Sequence, residues 1–536
     1  MSKSNNESES GDSLWEFLEN RKVYPHQPES VKHIQTHISH VFMAPPFVYK
    51  IKKAVDFGFL DYSTLDKRKH FCEREVELNR RLCSDIYLGV IPIFKKEGTF
   101  SFNSENPGEI VEYAVKMKML DKKYFLYSYI ENDTLTNHHL DRVAEKLSVF
   151  YLDQEPGNEV LKYGEIEQIR FNTEENFQQT ESFIGKTIES EEYQSIKYFT
   201  DQYLERNQSL FNRRITQRRI VDGHGDLHLE HIHIGPESIC IYDCIEFNER
   251  FRCGDIAADL AYLAMDLDFQ NRRNEARYFI EQMAQKLDDP DLSKIIDFYK
   301  CYRGYVKGKV KSLQSAGEEN SPKRRAKLQQ TATEYFQLSL RYALLGSSPV
   351  LLIFMGRIGT GKSTLAEHLA NILKIDYFSS DRIRKNLTGL PLYERPAPST
   401  REKLYSAEMS EKTYQHLYKK IKTQLESGES AIIDATFSRR SNRQKLVNLL
   451  DTMEANYLFI ETQASDETII HRLKARENER DTVSDARLED FEKLTAKYEP
   501  PEELKDRQLL RVSTKTHLPE TLENFYKKLV DQHLQK

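Results

Sequence analysis

Residues 350–364 read VLLIFMGRIGTGKST, and this stretch decides the fold of the C-terminal third of the chain. It fills every fixed position of the pattern G-x-x-x-x-G-K-[ST], with Gly356, Gly361, Lys362 and Ser363. The apolar residues before the loop predict a strand, and those after it recur at helical spacing. Strand, glycine-rich loop and helix in this order are typical of a P-loop. Residues 346–536 are therefore predicted to form an α/β P-loop NTPase domain with a parallel sheet.

The chemistry of such a loop follows from its residue types. Glycines let backbone N–H groups turn toward phosphates, and the N-terminus of the following helix adds positive potential. Lys362 can reach the β- and γ-phosphates, and the Ser363 hydroxyl can ligate Mg²⁺. The predicted nucleotide-binding residues, for ATP or GTP, are Gly356, Gly359, Thr360, Gly361, Lys362, Ser363 and Thr364. A loop that binds nothing is the alternative, whereas a dinucleotide-binding loop has no use for Gly-Lys-Ser.

A second apolar stretch ends in an acidic residue. Residues 431–434 read AIID, so Asp434 closes a predicted strand at the position where P-loop proteins support Mg²⁺. The next residue is Ala435, whereas a motor ATPase usually places a water-activating glutamate there. The absence of that glutamate favours phosphoryl transfer to an acceptor over hydrolysis.

Asp381 is the candidate general base. It lies in the stretch SSDRIR (379–384), directly after a strand predicted over residues 374–378. A carboxylate at a strand end beside the P-loop can accept the proton of an acceptor hydroxyl. Arg384 follows three residues later on the same side of a helix, where it could bind a phosphate of the acceptor or the γ-phosphate. The alternative is a helix-capping Asp381 with solvated arginines.

Arginines that could close over the γ-phosphate come later in the chain. Arg472 and Arg476 are one turn apart on a predicted helix, and Arg480 lies just beyond. They could form a lid that neutralises charge in the transition state, and a solvated charged helix is the alternative. The stretches GRIGTGKST, SSDRIRK, IIDAT and RLKARENERDTVSDA resemble zeta-toxin-like and polynucleotide-kinase-like P-loop kinases over about residues 350–500. This resemblance implies phosphoryl transfer to a hydroxyl group.

The N-terminal part has strands first and helices later. FVYKIK (47–52) and VEYAVKMKML (111–120) predict strands, whereas FCEREVELNRRL (71–82) predicts a helix. Mostly helical patterns follow. This order predicts a two-lobed α+β domain. The polar stretch 312–325 predicts a loop before a helix over residues 326–345.

A second group of functional residue types lies at residues 221–231, VDGHGDLHLEH. Downstream, Asp243 ends the stretch ICIYD, and Asp259 lies in GDIAADLA. These motifs resemble the aminoglycoside-phosphotransferase-like branch of the protein-kinase fold, whose catalytic loop reads H-G-D-x-x-x-x-N. By that resemblance Asp226 would accept the substrate hydroxyl proton. Asp243 would hold Mg²⁺, and Asp259 would brace the loop.

The same resemblance assigns roles to two residues upstream of this loop. The sequence also departs from the pattern of the family at one metal-ligand position. Lys50 would pair the α- and β-phosphates, with Glu75 as its partner on a helix. Lys52 is an alternative to Lys50, since both lie on the same side of a strand. The second metal-ligand position, five residues after Asp226, is His231 rather than Asn. Imidazole is a poorer ligand for Mg²⁺ than an amide oxygen.

Four histidines within ten residues allow two further interpretations of this loop: His224, His228, His231 and His233. They could form a transition-metal site, although their spacings of 4, 3 and 2 suit no single secondary structure. They could also be buried loop histidines with no chemistry.

Both halves together resemble bacterial fusion proteins that join an aminoglycoside-phosphotransferase-like domain to a P-loop ATP-binding domain, a group also called AAA family ATPases. The supporting stretches include HGDLHLEHIHI, YDCIEFNERFRCGDIAADLAYLAMDLD and GRIGTGKSTLA. The predicted organisation is a disordered tail over residues 1–13, an α+β protein-kinase-like domain over 14–345 and the P-loop domain over 346–536.

Composition narrows the class of protein. A net charge of −6 and a pI near 6.3 disfavour general binding to nucleic acid or membrane surfaces. The longest apolar run, residues 350–355, is far shorter than the ~20 residues of a membrane span. The polar N-terminus lacks the apolar core of a secretory signal. Six scattered cysteines without a C-x-x-C pair are expected to be free thiols in the cytoplasm.

The sequence therefore predicts an ATP- or GTP- and Mg²⁺-dependent phosphotransferase. The acceptor hydroxyl could belong to a small alcohol, a nucleotide sugar or a polynucleotide end, because a fold does not fix a substrate. The alternative function is a nucleotide-binding regulator that transfers little or nothing to an acceptor. A nucleic-acid-binding adaptor would need a basic groove.

Overall fold

The computed structural model of the chain describes residues 8–105, 107–317, 320–394, 396–476, 483 and 487–535. The chain divides into two compact units. The first contains the residues up to Asn172 and Asn207–Lys300, and the second contains Thr173–Arg206 and the residues from Cys301 onward. The P-loop unit thus includes helical segments that precede residue 346, where the domain boundary was predicted. No helix in the described part of the chain combines the length and the apolar character that crossing a membrane requires.

The first unit contains, among its described residues, one six-stranded antiparallel sheet and two antiparallel strand pairs. Its strands, in chain order, are β1 (Lys32–Gln35), β2 (Ser39–Ala44), β3 (Phe47–Lys52), β4 (Tyr87–Lys96), β5 (Thr99–Ser101), β6 (Glu109–Lys118), β7 (Ile220–Asp222), β8 (Ile232–Ile234), β9 (Ile239–Ile241) and β10 (Cys253–Asp255). The sheet order is β1-β2-β3-β6-β4-β5, while β7 pairs with β10 and β8 with β9. The strands predicted from FVYKIK and VEYAVKMKML are confirmed as β3 and β6.

Helices make up much of the remainder of both units. The described α-helices, numbered in chain order, are α1 (Ser8–Glu19), α2 (Leu65–Arg80), α3 (Leu126–Glu131), α4 (Asn137–Leu152), α5 (Asn158–Leu161), α6 (Ile166–Thr180), α7 (Ser190–Arg206), α8 (Gln208–Thr216), α9 (Glu249–Arg252), α10 (Ile256–Phe269), α11 (Arg273–Lys286), α12 (Leu292–Ser315), α13 (Pro322–Leu345), α14 (Lys362–Leu373), α15 (Ser380–Thr388), α16 (Pro398–Leu404), α17 (Ala407–Glu426), α18 (Arg440–Thr452), α19 (Asp466–Arg476), α20 (Phe491–Thr495) and α21 (Leu518–His533).

The second unit contains the predicted parallel sheet. Its strands are β11 (Val350–Met355), β12 (Asp376–Ser379), β13 (Ala431–Asp434), β14 (Asn456–Gln463) and β15 (Leu509–Ser513), in the order β12-β13-β11-β14-β15. Every residue of β11 is buried, as expected for a central strand of a parallel sheet covered on both faces. Phe354 and Ser379 both pair with Asp434, so the carboxyl ends of β11, β12 and β13 meet at one edge.

Helix α2 places an acidic side chain against the first sheet. It begins after Thr64, whose hydroxyl oxygen accepts a hydrogen bond from the N–H of Lys67. Cys72 and Val76 are buried on the face that packs into the core, and Glu75 between them is completely buried. The helix predicted from FCEREVELNRRL is confirmed, although it starts earlier than that stretch.

The predicted N-terminal tail differs from the structure in part. Helix α1 begins at Ser8, inside the stretch expected to be disordered, whereas residues 1–7 lie outside the described residues. Leu14 and Leu18 are buried and, with the half-buried Trp15, pack into the core beside the first sheet. Burial of this apolar face stabilises a helix that the polar composition of residues 1–13 did not predict.

The loop predicted over residues 312–325 is shorter than expected. Helix α12 continues to Ser315, and α13 begins at Pro322 after Ser321, whose hydroxyl oxygen accepts a hydrogen bond from the N–H of Arg324. A serine cap followed by proline is a strong helix start, and it moves the boundary toward the N-terminus. The helix expected over residues 326–345 is confirmed within α13.

The expectation of six free thiols is wrong for one pair. Cys83 and Cys240 form a disulfide at a sequence separation of 157, with 4.7 Å between their Cα atoms. The two residues become neighbours only in the folded core of the first unit, so their spacing in the sequence carries no signal. The remaining four cysteines are free and buried: Cys72, Cys244, Cys253 and Cys301.

A buried histidine links α1 to the first sheet. Trp15 stacks on His40 of β2, with 4.0 Å between the ring centroids. His40 is 7% exposed, and its Nδ1 lies 2.9 Å from Nε2 of His33. Burial, together with the neighbouring Lys53 and His33, lowers the pKa of His40 to about 4. Because the unfolded imidazole titrates near 6.5, acid favours the unfolded chain at this residue.

We expect the free energy of unfolding of the first unit to fall by about 1.4 kcal/mol per pH unit through His40 as the pH drops from about 6.5 to about 4. The folded pKa lies below the unfolded one, so the stabilisation is complete above pH 6.5 and is lost on the acid side. Urea unfolding followed by the fluorescence of Trp15, the only tryptophan of the chain, measures it.

Two variants test the assignment to His40. His40→Phe keeps a ring beside Trp15 but removes the titrating group, so its unfolding free energy should depend less on pH over this range. His70→Phe changes an exposed histidine of α2 and should retain the wild-type pH profile. Equal slopes for the wild type and His40→Phe would contradict the prediction.

Candidate functional site

The loop between β11 and α14 has a backbone that only glycine accommodates well. Gly356, Gly359 and Gly361 have φ angles of 134°, 70° and 90°. A Cβ atom at Gly356 would lie 2.6 Å from the carbonyl oxygen of Thr462. Helix α14 begins at the end of this loop, so the unpaired N–H groups of its first turn adjoin it.

Lys362, Ser363 and Asp434 lie together at the end of this loop. The Ser363 hydroxyl donates to Oδ2 of Asp434 at 2.5 Å, and the Tyr377 hydroxyl donates to the same oxygen at 2.9 Å. Nζ of Lys362 donates to the carbonyl oxygen of Arg357 at 2.9 Å. Burial raises the pKa of Asp434 and lowers the pKa of Lys362. Both charged groups are therefore shielded from water, where a polyphosphate and a cation interact most strongly.

Side chains outside the motif hold the loop in place. The hydroxyl groups of Thr360 and Thr462 are 2.7 Å apart, and the Thr514 hydroxyl donates to the carbonyl oxygen of Thr360 at 2.7 Å. Arg472 donates to the carbonyl oxygen of Thr514 at 2.5 Å and lies 3.5 Å from that of Gly359. Arg472 thus braces the P-loop, and its role in a lid over the γ-phosphate stays a prediction.

Sequence reasoning missed three residues of this region: Tyr377, Thr462 and Thr514. Tyr377 lies in β12, Thr462 near the end of β14 and Thr514 directly after β15. Polar residues near the carboxyl ends of parallel strands converge on the P-loop edge, and this was the available signal.

Asp381 and Arg384 lie in the first two turns of α15. Nη1 of Arg384 donates to Oδ1 of Asp381 at 2.6 Å, as the three-residue spacing predicts. The helix is capped by Ser379, whose hydroxyl oxygen accepts from the N–H of Arg382, so Asp381 is not the cap. The guanidinium of Arg384 also lies 4.5 Å from the ring centroid of Tyr405. Its Nε is buried and has no hydrogen-bond partner among the described residues.

Three further predicted site residues belong to the P-loop unit: Thr364, Arg476 and Arg480. Thr364 follows Ser363 in the first turn of α14 and is exposed. Arg476 is in the last turn of α19, and its charge contributes to the lowered pKa of Lys362, which places the two groups near each other. Arg480 lies outside the described residues.

A second cluster lies in the first unit and contains the predicted Lys50, Glu75 and Asp243. Nζ of Lys50 donates to Oε1 of Glu75 at 2.9 Å and to Oδ1 of Asp243 at 2.6 Å. Lys52 donates to Oε2 of Glu75 at 2.7 Å and also bonds Glu246. Both lysines therefore contact Glu75, but only Lys50 is found bonded to Asp243.

The lysine and the carboxylates of this cluster stabilise one another's charged forms. Burial acts against the charge of Lys50, but Asp243 and Glu75 outweigh it and raise the pKa of Lys50. Burial likewise acts to raise the pKa of Asp243, yet the Lys50 ammonium keeps that pKa well below its usual range. Asp243 adopts a left-handed backbone, with φ of 62°, which is uncommon for a residue with a side chain and is frequent at functional sites.

The loop between β7 and β8 brings Asp226 and His231 to the same cluster. Nδ1 of His231 lies 2.9 Å from the carbonyl oxygen of Asp226, and its Nε2 lies 3.5 Å from Oδ2 of Asp243. Asp259 accepts hydrogen bonds from the N–H groups of His224 and Gly225 at 2.6 and 2.8 Å. These bonds fix the loop backbone next to Asp226. Burial lowers the pKa of His231 to about 4.

Comparison with known proteins agrees with the geometry of the second unit. Residues 351–501 match a family model described as an AAA domain. The match and the P-loop geometry agree on a P-loop domain in the C-terminal region.

Relatives of this chain extend beyond that domain. An uncharacterized protein of Mycobacterium tuberculosis and one of Mycobacterium bovis are each 29% identical to it over 405 residues, which is 75% of this chain and 78% of the relative. The chain has 536 residues and its P-loop strand starts at residue 350, so a match of this length also covers much of the N-terminal part.

Solved structures with similarity to part of the chain include a gluconokinase and Kti12. A gluconokinase from Sinorhizobium meliloti is 16% identical, with a TM-score of 0.25, and the similarity covers 35% of this chain and 93% of that one. Kti12 from Chaetomium thermophilum, in complex with ADP-AlF3, is 20% identical, with a TM-score of 0.26 and coverage of 34% and 97%.

The P-loop geometry predicts that Gly356→Ala weakens nucleotide binding by about tenfold or more, because the new Cβ meets the carbonyl oxygen of Thr462. Titration with a fluorescent ATP analogue measures the effect. Gly389→Ala is the matched control: its φ of 69° imposes a backbone strain of about 1–2 kcal/mol, yet no atom lies within 4 Å of the added Cβ. Equal affinities of the two variants would show that the close approach at Gly356 is unimportant.

Proposed function

We propose that the P-loop unit transfers the γ-phosphoryl group of ATP or GTP to a hydroxyl group of an acceptor. One observation carries the proposal: the buried Lys362 and Asp434 lie together with the Ser363 hydroxyl beside the P-loop, and Asp381 is close enough to affect the pKa of both Lys362 and Asp434. A base beside the nucleotide's phosphates is what transfer to an acceptor requires.

The donor set beside the P-loop fits Mg²⁺. A serine hydroxyl and a carboxylate are hard oxygen ligands, and Ser363 and Asp434 already lie within 2.5 Å of each other through Oγ and Oδ2. These two residues would hold the ion, with Tyr377 orienting the carboxylate. When bound, Mg²⁺ would neutralise charge that develops on the β- and γ-phosphate oxygens.

Asp381 and Arg384 are assigned to the acceptor. The Asp381 carboxylate would take the proton of the attacking hydroxyl, so that the oxygen becomes nucleophilic as it approaches the γ-phosphorus. Arg384 holds one carboxylate oxygen in place and retains a buried Nε that could donate to a polar group of the acceptor. Arg476, near Lys362, and Arg480 would steady the transferred group.

The first unit is proposed to be a second, protein-kinase-like nucleotide site. Lys50 bonded to both Glu75 and Asp243 supports this, since that arrangement suits a lysine that binds the α- and β-phosphates. Asp226 would be its base. His231 in place of an amide ligand favours the alternative function, in which this unit binds nucleotide and regulates the P-loop unit without transferring phosphate.

Radiolabelled γ-phosphoryl transfer into a panel of sugars, nucleosides, nucleotide sugars and 5′-hydroxyl oligonucleotides tests the P-loop proposal. Lys362→Ala should lower transfer by about 10²–10³-fold, because it removes a preorganised charge on the phosphates. Asp381→Asn should lower transfer by about 10²–10⁴-fold while nucleotide binding is retained. Lys422→Ala, at an exposed lysine of α17, is the control and should retain activity. Binding of nucleotide without labelling of any acceptor would favour the regulator instead.

Asp226→Asn separates the two units in the same assay. If the first unit is regulatory, this variant should keep the transfer activity that depends on Lys362. Loss of transfer by about 10²–10⁴-fold in Asp226→Asn alone, with Lys362→Ala fully active, would assign the chemistry to the first unit and overturn the proposal.

A further inference from the structure

The histidine loop of the first unit contains a set of metal-ligand atoms that includes Asp226, the base proposed above for this unit. Asp226, His228 and His231 each offer one atom, and these three atoms lie within 4.8 Å of one another. Two imidazoles and a carboxylate in such proximity are ligands that Zn²⁺ and related cations prefer.

One printed separation matches an edge of a metal coordination polyhedron: Nε2 of His228 lies 3.4 Å from Oδ2 of Asp226. The ring of His231 is also close to this carboxylate, with Nδ1 lying 3.6 Å from the same oxygen. Ligands bound tetrahedrally at about 2.1 Å are about 3.4 Å apart. Asp243 is not a member of this group of three, although its Oδ2 lies 3.5 Å from Nε2 of His231 while its Oδ1 accepts from Lys50.

The surroundings of His231 orient it as a ligand. Its Nδ1 donates to the carbonyl oxygen of Asp226 at 2.9 Å, which fixes the proton on Nδ1 and leaves the lone pair on Nε2. Metal-binding histidines commonly have this second hydrogen bond to a carbonyl or carboxylate, because it sets the tautomer and the ring orientation.

His228 needs a small local change. Its Nδ1 accepts a hydrogen bond from the N–H of Glu230 at 3.4 Å, whereas a metal on Nε2 would require the proton on Nδ1. A bond this long is beyond the usual range for N–H donors, so its loss costs little. The rings of His228 and His231 already lie 3.9 Å apart between centroids, which holds both beside Asp226.

The histidine side chains of the cluster are more buried than the neighbouring carboxylates. The side chains of His228 and His231 are 7% and 12% exposed, whereas those of Asp226 and Asp243 are 31% and 38% exposed. A cation can therefore enter from the carboxylate side and keep a coordination position for water or a substrate oxygen. The histidines would remain packed in the protein.

The same residues do not suit Mg²⁺. Mg²⁺ prefers oxygen ligands in near-octahedral geometry, and here nitrogen ligands occupy the buried side. We propose that Asp226, His228 and His231 form a binding site for a first-row transition-metal dication, with the chemical preference of Zn²⁺ rather than Mg²⁺. This site is independent of the Mg²⁺ expected beside Asp434 in the P-loop unit.

Calorimetric titration of the metal-free full-length protein with Zn²⁺, and separately with Mg²⁺, tests the proposal without nucleotide. One Zn²⁺ should bind per chain with at least about tenfold higher affinity than Mg²⁺ at this site. His228→Gln and His231→Asn replace each imidazole by an amide and should each lower the Zn²⁺ affinity by at least about tenfold. Their far-ultraviolet circular dichroism and thermal unfolding establish whether they are folded.

Two control variants locate the metal. His233→Gln changes a neighbouring histidine whose Nε2 instead lies 3.2 Å from the carbonyl oxygen of Asp121, and it should bind Zn²⁺ like the wild type. Asp434→Asn removes the P-loop carboxylate and should also retain Zn²⁺ binding, although it should impair phosphoryl transfer. The two proposals can therefore fail separately.

Visible absorption of the Co²⁺-loaded protein gives a second readout. Histidine ligation should produce d–d bands that decrease in His228→Gln and His231→Asn but not in His233→Gln. Absence of Zn²⁺ binding by the folded wild type would overturn the proposal. It would be overturned equally by folded His228→Gln and His231→Asn variants with wild-type affinity, or by Zn²⁺ binding that only Asp434→Asn abolishes.

Discussion

Parallel strands that end at one edge of a sheet impose the constraint on which the P-loop unit depends. The register of β11, β12 and β13 places Phe354 and Ser379 beside Asp434, so the segments after these strands begin from neighbouring points. The glycine loop, Asp381 and Asp434 are far apart in the sequence, yet this register brings them to one edge. The residues proposed for phosphate, cation and base chemistry become neighbours because backbone hydrogen bonds align the strand ends.

In the first unit, a buried network of ion pairs brings the charged side chains together. Glu75 is completely buried between Lys50 and Lys52, and Lys52 in turn bonds Glu246. Breaking one such buried pair leaves an uncompensated charge and costs about 3–5 kcal/mol, so the network fixes its members tightly. This rigidity positions Asp243, whose two carboxylate oxygens face Lys50 and His231.

The two units therefore differ in the cation chemistry that their residues favour. A hydroxyl and a carboxylate meet beside the P-loop, where both ligands are hard oxygens. In the histidine loop two imidazoles lie beside one carboxylate, and the softer nitrogen donors favour a different ion. The metal preferences proposed for the two units are separable by experiment, which gives a direct way to assign activity to one unit or the other.

The sequence alone determined the P-loop, its strand and its helix, because the pattern needs only local spacing and each position has a steric or electrostatic reason. It also indicated Asp434 and Asp381, since carboxylates after apolar strands gather at one sheet edge. Tertiary structure decided what depends on residues far apart in the chain. The Cys83–Cys240 disulfide, the bracing of the P-loop by Arg472 and Thr514, and the approach of His231 to Asp243 arise only when separate segments pack together. Local propensity encodes which element forms, whereas the pairing of distant side chains is decided by packing and register that no short stretch of sequence contains.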